Sequence, residues 1–354
     1  MAGDVRPVPA RPTLTGEQAR RWAEVLDHLA AALPSGAATV LVDGGPLAGV
    51  VADRLADTLS AAGRPCARLT DTTPLADEDT WWAGRSPETV ALADGSRWRA
   101  RPPTGRWDVV VRLRTRSAQP GGPAADGESG DIVVDLRDPT WPVIRQLADR
   151  LAPVQRWYVG EARAFFGVRA ATWDAKFGDD LPAYAAAVAE ARLPAGGVAV
   201  DVGCGTGRAL SALRRAVGPA GTVIGLDLTP QMVTAAATRG RDAAAALLIG
   251  DARHLPLGDA TADVIFAAGL LTHLPDPVAG LGELARVTRP GGRLVLFHPS
   301  GRAALAARHG RTLRPDEPLA EDPLRRSARR AGWQLSSYDD AAHRFLATAV
   351  RQPG

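Results

Sequence analysis

The chain has 354 residues, room for two domains, and its 45% hydrophobic and 23% charged content is that of a folded globular protein. Its 42 basic and 39 acidic residues leave a formal charge of +3, and no arginine run is interleaved with aromatics, which argues against nucleic acid as a partner. No apolar run is long enough to span a bilayer and no signal-peptide core opens the chain, so a membrane is not an expected partner either; two cysteines, Cys66 and Cys204, exclude a disulfide framework and a cysteine metal site, and a reducing cytoplasm is the expected setting. Lys176 is the single lysine, an arginine bias expected of a GC-rich bacterial genome.

Residues 1–13, rich in Pro and Arg, read as a disordered lead-in. Trp22, Val25, Leu26 and Leu29 recur at helical spacing within Gly16 to Leu33, and Thr15 with Gln18 makes a capping-box pattern. Pro34-Ser-Gly ends that helix. Thr39 to Asp43 then reads as a strand, Pro46 to Ala61 as a helix and Ala67 to Leu69 as a second strand.

This strand–turn–helix resembles the phosphate loop of uridine kinase-like proteins. Gly44 and Gly49 keep the spacing of G-x-x-x-x-G-K-[ST], but Val50 and Val51 stand where Lys and Ser/Thr would contact phosphate and Mg²⁺. Further likeness runs through Trp107 to Leu113 and Asp131 to Ile144, read as strands and a helix, and Asp71 corresponds weakly to the acidic substrate position. Arg112 and Arg114 are either phosphate contacts or a solvated strand end. The resemblance implies a degenerate kinase-like α/β domain over 1–150, structural or substrate-docking in role, because phosphoryl transfer depends on charge neutralisation by Lys and Mg²⁺. Ser117 to Asp131, dense in Gly and Pro, reads as a flexible surface loop.

Residues 151–354 form the second expected domain. Arg150 to Arg163 read as a joining helix, followed by Phe165, Phe166, Trp173 and Phe177 in a chain that is only 5% aromatic. Trp173 and Phe177, at i and i+4, share a helical face. They either stack on a bound molecule or contact a cationic ligand through cation–π attraction, or else pack between the domains. Pro182 to Leu193 read as a helix leading into a short buried strand, Val198 to Val202.

The densest signal follows. Asp201-Val-Gly-Cys-Gly-Thr-Gly207 places glycines at 203, 205 and 207 between that strand and a helix through Ser211 to Ala216, where a ligand can lie against bare backbone and helix N–H groups. A dinucleotide turn needs G-x-G-x-x-G, and Arg208 stands where its third glycine would be. A carboxylate at Asp201 repels a pyrophosphate but suits an ammonium. A second strand from Gly221 to Leu226 ends at Asp227, twenty residues past Gly207, where an acid can accept two ribose hydroxyls. S-adenosylmethionine fits this turn better than NAD.

Here the chain resembles class I S-adenosylmethionine-dependent methyltransferases of the type 11, small-molecule kind. Asp201 to Gly207 is similar to that family's first motif and Leu226-Asp227 to its second. Gly250 to Pro256 resembles the acidic turn after the third strand, Phe266 to Leu274 the fourth strand and its loop, and Arg286 to Phe297 the Pro-Gly-Gly turn and fifth strand. The resemblance implies a Rossmann-like seven-stranded sheet closed by an antiparallel C-terminal hairpin, preceded by the smaller P-loop-like α/β domain. It also implies a lid made by the helices before the first strand. Asp201, Gly203, Cys204, Gly205, Thr206 and Gly207 would hold the methionine part, Asp227 the ribose, and Asp251 and Ala252 the adenine, with Leu228 a further cofactor-binding residue. Ala267 to His273 would flank the sulfonium, Ala268 and His273 among them as cofactor-binding residues.

Beyond the fourth strand, Pro277 to Val287 read as a helix, Pro290 to Gly292 as a turn and Arg293 to Phe297 as a strand. His298 follows at its carboxyl end, on the ligand-binding side of an open α/β sheet. His273 and His298 are both candidate general bases; His273 is expected to serve the cofactor, while His298, with Trp173 and Phe177, is a candidate for acceptor binding. Methyl transfer to a good nucleophile also proceeds by positioning alone. Ser300 to Arg311, helical at its start and carrying Arg302, Arg308, His309 and Arg311, is an acceptor-side insertion or a solvated basic surface. Pro323 to Ala331 read as the last helix, and Gly332 to Tyr338 with Arg344 to Arg351 as the closing hairpin.

The expected function is methyl transfer from S-adenosylmethionine to a small-molecule acceptor, with no metal. Nucleotide binding or phosphoryl transfer through the N-terminal half, and a noncatalytic cofactor-binding scaffold, are the alternatives. A homodimer is left open.

Overall fold

The computed structural model describes residues 13–353 except 87, 104, 117–129, 153–155, 178 and 309–310; the side chains of Lys176 and Phe177 also lie outside the described set. The expectations for the lead-in before Thr13, for most of the Gly/Pro loop and for His309 therefore concern residues outside those described. The chain divides into two compact units, Met1–Trp157 and Tyr158–Gly354.

The first unit runs α1 (Gly16–Ala32), β1 (Thr39–Asp43), α2 (Ala48–Ala61), β2 (Cys66–Leu69), α3 (Glu78–Gly84), β3 (Val90–Asp94), β4 (Val109–Arg114), β5 (Ile132–Asp135) and β6 (Val143–Leu147). Thr15 and Gln18 form the reciprocal capping box at the start of α1. Trp22, Val25, Leu26 and Leu29 are buried along one face of that helix. The sheet order is β2-β3-β1-β4-β5-β6. Both neighbours of β1 pair with it in parallel, so its Thr-Val-Leu-Val-Asp run is buried along its whole length.

Two strands of this sheet depart from the sequence reading. Val90–Asp94 inserts as a parallel strand beside β1, and Val143–Leu147 is an antiparallel edge strand on β5 where a helix was expected. Pro142 explains the second: the residue before a proline is disfavoured in the α region, and proline suits the entry to an edge strand.

The second unit runs α4 (Trp157–Gly167, its first residue in the other unit), α5 (Trp173–Phe177), α6 (Leu181–Glu190), β7 (Val198–Val202), α7 (Leu210–Val217), β8 (Thr222–Asp227), α8 (Pro230–Asp242), β9 (Ala246–Ile249), β10 (Ala262–Ala268), α9 (Pro277–Val287), β11 (Thr288–His298), α10 (Arg302–Arg308), α11 (Glu321–Arg330), β12 (Trp333–Ala341) and β13 (Arg344–Arg351). Its seven strands are ordered β12-β13-β11-β10-β7-β8-β9. Strands β7 to β11 are parallel, while β13 is antiparallel to β11 and to β12. Pro290 to Gly292 lies inside β11 as an irregularity rather than before it: Ala262 pairs with Thr288, and pairing resumes at Val264 with Arg293.

Leu210 and Leu213 of α7 pack with Phe266, Val295, Phe297 and Leu346 in one buried cluster. The core therefore lies directly under the turn that joins β7 to α7. The chain travels outward from β7 through β8 to β9, then returns to place β10 on the other side of β7. The crevice of a doubly wound sheet opens at such a reversal, beyond the carboxyl ends of β7 and β10.

Candidate functional site

The glycine turn fills that crevice, and its three glycines do different work. All three have positive φ, at +73°, +53° and +80° for Gly203, Gly205 and Gly207. A Cβ on Gly207 would lie 2.9 Å from Leu210 Cδ1, so that glycine faces inward and lets the turn pack on α7. A Cβ on Gly203 would meet Leu270 Cδ1 at 3.2 Å, across the crevice. A Cβ on Gly205 would meet no protein atom within 4 Å, so this glycine borders open space.

Two carboxylates converge behind the turn. Asp227, at the end of β8, accepts the Gly205 amide at 2.9 Å through Oδ2 and the Thr229 amide at 2.8 Å through Oδ1. Asp201, in β7, is only 2% exposed. Its carboxylate accepts no hydrogen bond among the described residues. Burial first, and then the charge of Asp227, push its pKa up to about 8. Burial also raises Asp227, opposed by the amides of Thr229 and Gly205. Burial, together with both acids, pushes the Cys204 thiol well above its ordinary value, which keeps it protonated inside the turn.

The third expected acid is already engaged. Asp251 Oδ2 lies 2.7 Å from Arg253 Nη2, and Oδ1 accepts the Arg253 amide at 3.0 Å. Burial would raise it, but the Arg253 hydrogen bonds and charge outweigh burial and hold the carboxyl below its ordinary range. Ala252 beside it is buried.

Residues 158–177 and 179–184 form a strap across the carboxyl edge of the sheet. The Arg253 guanidinium, beyond β9, stacks 4.4 Å from the Tyr158 ring centre. Arg163 Nε donates to the Leu228 carbonyl, beyond β8, at 3.1 Å. Asp174 of α5 accepts from Thr206 Oγ1 in the glycine turn, beyond β7, at 2.7 Å. Tyr184 of α6 packs edge-on against Phe297 of β11, ring centres 4.9 Å apart. These four anchors follow the order of the strands beneath them.

The aromatic residues singled out in the sequence meet here. Phe166 lies 5.8 Å from Trp173 and edge-on to His273 at 5.1 Å, centre to centre. His273, on the single turn Leu271–His273 after β10, is thus built into the strap's aromatic cluster. Phe177 ends α5. His298 stands apart, with Cδ2 3.9 Å from where a Cβ on Gly269 would be, beside Ala268 at the mouth of the crevice. Its Nδ1 is 3.0 Å from the Ser300 amide and 2.9 Å from the Ser300 carbonyl. Burial lowers its pKa, against the Ser300 backbone contact, so the ring is neutral at physiological pH. The two candidate bases therefore have different surroundings, aromatic for His273 and crevice mouth for His298.

Sequence reasoning missed Asp174, Asp180, Tyr184 and Arg239, and met Arg208 only as a departure from the dinucleotide pattern. Only that departure, an arginine directly after a glycine turn, signalled anything in the chain itself.

The residues present fit a cofactor with a cationic end and a ribose. Asp201 is a buried acid with no hydrogen-bond donor, Asp227 is a second acid at the strand end, and Gly205 leaves space between backbone and solvent. An ammonium would relieve the repulsion between the two acids, which a pyrophosphate would worsen.

Residues 200–296 match the family model described as a methyltransferase domain. The chain is 43% identical over 102 residues to an uncharacterized 37.1 kDa protein in transposon TN4556 of Streptomyces fradiae, covering 28% of this chain and 30% of that protein. It is 39% identical over 106 residues to a demethylmenaquinone methyltransferase of Staphylococcus carnosus, covering 30% of this chain and 44% of the enzyme. The chain thus spans less than half the length of these relatives. A crystal structure of a SAM dependent methyltransferase from Aquifex aeolicus overlays with a TM-score of 0.41 at 25% identity, covering 47% of this chain and 88% of that one. Residues 200–296 are thus similar to a methyltransferase domain and lie on a Rossmann-like sheet, and that likeness indicates S-adenosylmethionine as the methyl donor.

Proposed function

We propose that the second unit transfers a methyl group from S-adenosylmethionine to a small-molecule acceptor. The observation that carries this reading is Asp201, a buried carboxylate without a donor, beside Asp227 at a glycine turn with open space over Gly205. On this reading Asp201 and the turn residues from Gly203 to Gly207 hold the methionine part. Asp227 and Leu228 hold the ribose, and Asp251 and Ala252 border the adenine. When bound, the cofactor supplies an activated methyl on a sulfonium.

What the chain's own residues contribute is enclosure and orientation. The strap covers the strand ends and limits water. Phe166, Trp173 and His273 form an aromatic wall suited to a flat acceptor. Ala268, Gly269 and His298 border the opposite side, and neutral His298 can orient or deprotonate an acceptor hydroxyl. The demethylmenaquinone methyltransferase among the relatives supports an acceptor with a quinone-type ring. Among the described residues no helix is long and apolar enough to cross a membrane, and a cytoplasmic reaction is part of the proposal.

We read the first unit as a degenerate kinase-like fold without phosphoryl transfer. A Cβ on Gly44 would lie 2.3 Å from the Leu113 carbonyl, so the turn after β1 packs down on β4. Asp43 is paired with Arg99 at 2.7 Å and Arg112 at 3.1 Å, and Asp94 with Arg68 at 2.6 Å. The arginines that recognise phosphate elsewhere are spent on internal acids. Titration of Mg²⁺-nucleotide giving no heat agrees with this; saturable binding overturns it.

The test of the main reading is calorimetric titration of S-adenosylmethionine and its demethylated product into the full chain, followed by labelled-methyl transfer to a panel of phenols and quinols. Binding with turnover supports the proposal. Binding with no turnover on any acceptor favours a noncatalytic scaffold, and no binding defeats both.

A further inference from the structure

The segment that follows β11 carries Arg302, Arg308, Arg311 and Arg314, and three of these arginines are held by carboxylates. Arg302, buried at the start of α10, pairs with Asp340 of β12 and with Glu317 at 3.3 Å each, and its amide donates to Asp340 Oδ1 at 2.7 Å. Arg311 pairs with Glu317 as well, and Arg314 pairs with Asp316 at 2.5 Å. Gly301 lies so close to the closing hairpin that a Cβ there would meet the Ala341 carbonyl oxygen at 1.9 Å. The first turn of α10 is therefore fixed to β12, and the insertion is a built element rather than a solvated basic tail.

Arg308, in the last turn of α10, is the exception. It is exposed and pairs with no carboxylate among the described residues; its Nη2 donates to Ser300 Oγ at 3.3 Å. That contact turns the guanidinium back along α10 toward the carboxyl end of β11. Ser300 faces two ways: its hydroxyl meets Arg308, and its backbone holds His298 Nδ1 at 2.9 and 3.0 Å. The charge of Arg308 reaches the imidazole and adds to burial in opposing its protonation, while Asp180 acts in the other sense. Asp180 is itself paired with Arg208, and Asp174 beside it with Arg208 and Arg239. Of the two charged side chains that act on His298, the acid is thus matched within the fold and the cation is not.

A guanidinium is a planar fork of donors that fits a carboxylate through two parallel hydrogen bonds. Phe166, Trp173 and His273 across the crevice suit a flat ring between that fork and the sheet. We infer that Arg308 is a specificity-determining residue that binds a carboxylate on the acceptor, so that the substrate class is a hydroxylated aromatic acid whose hydroxyl is presented at His298. The assignment rests on the methyl-transfer reading of the same crevice.

Labelled-methyl transfer by the full chain to hydroxybenzoates and hydroxycinnamates, each beside its neutral amide, tests this in wild type, Arg308→Gln, Arg308→Lys and Arg325→Gln. Arg325 of α11 is exposed and pairs with Glu321 at 2.8 Å, so its loss removes the same charge without touching Ser300. Wild type should favour an acid over its amide by about tenfold in kcat/KM, the difference lying in KM. Arg308→Gln should lose that preference with its rate on the amides unchanged, Arg308→Lys should keep part of it, and Arg325→Gln should match wild type. Equal preference in wild type and Arg308→Gln, or amides used as well as acids by wild type, would overturn the assignment. Should wild type bind S-adenosylmethionine yet methylate no member of the panel, titration of the acids into the chain loaded with S-adenosylhomocysteine decides. Binding that Arg308→Gln abolishes sustains the carboxylate site, and no binding refutes it. No binding of S-adenosylmethionine defeats the methyl-transfer reading itself, and the same titration into the unloaded chain then judges Arg308 by the same two outcomes.

Discussion

The Gly205 amide donates to Asp227 Oδ2 at 2.9 Å, tying the one glycine that borders open space to the acid at the end of the next strand. The turn and the second acid are therefore a single unit, and a ligand that meets one meets both. Replacing Asp227 by Asn removes the charge and turns one acceptor oxygen into an NH₂ donor, so one of the Gly205 and Thr229 amides loses its partner, and replacing it by Ala leaves both without an acceptor. A hydrogen bond to a charged group contributes roughly 1.5–3 kcal/mol, so calorimetry should give an affinity loss of about tenfold to a hundredfold for Asp227→Ala. The loss for Asp227→Asn should be smaller. An unchanged affinity in both variants would remove Asp227 from the site.

Asp201 sets the expected pH dependence. Its folded pKa, about 8, lies above the ordinary value of 3.8 because burial and Asp227 oppose its ionisation. Between those values the folded state holds more protons than the unfolded one, so the ligand-free protein loses stability as pH rises from about 4 to about 8. A cationic ligand reverses the balance by favouring the carboxylate. Its binding should tighten with rising pH over the same window and release protons, visible as a buffer-dependent heat. Asp201→Asn should raise the melting temperature of the ligand-free protein near pH 7 while weakening the ligand. A melting temperature that falls on that substitution would contradict this account.

The three glycines separate folding from binding. At Gly207, φ is +80° and a Cβ would press on Leu210 at 2.9 Å, so Gly207→Ala should cost about 1–3 kcal/mol of stability through strain and overpacking. Gly205→Ala meets no protein atom, and its cost is confined to backbone strain at φ +53°. On the proposed reading, its Cβ enters the space of the ligand. Chemical denaturation and titration side by side should show Gly207→Ala losing chiefly stability and Gly205→Ala chiefly affinity.

His298 and His273 are distinguished by kinetics. His298 sits at the crevice mouth with its pKa lowered by burial, so His298→Ala should reduce kcat while leaving cofactor affinity within about twofold. His273 packs on Phe166, and His273→Ala should loosen the strap and weaken the cofactor instead. If His298 acts as base, the acid limb of the wild-type rate lies below pH 6.5 and vanishes in its variant. A full rate in His298→Ala would leave positioning alone as the source of catalysis.

Much of the second unit was legible because its signals are local. The glycine spacing, the acids at 201 and 227, the helix Pro277–Val287 and the closing hairpin each depend on residues near one another in sequence, where turn chemistry and periodicity apply directly. The same holds for the capping box at Thr15. Val90–Asp94 was missed because five mostly small or apolar residues carry no period of their own; pairing with β1 makes them a strand. Val143–Leu147 was misread for the complementary reason, since β5 offers it an antiparallel edge that no local preference records.

By itself, the sequence determined where the glycine turn and its two acids lie, because backbone freedom at glycine and charge at a strand end are properties of the residues present. It did not determine how the turn is covered. Arg208 meets Asp174 and Asp180 across about thirty residues of intervening chain, and Tyr184 meets Phe297 across more than a hundred. Those partners are chosen by the strand order, which brings the ends of β9, β8, β7 and β11 under one crossing segment. Only the folded sheet decides that order, since it follows from burying both faces of a parallel sheet and not from any pair of residues read along the chain.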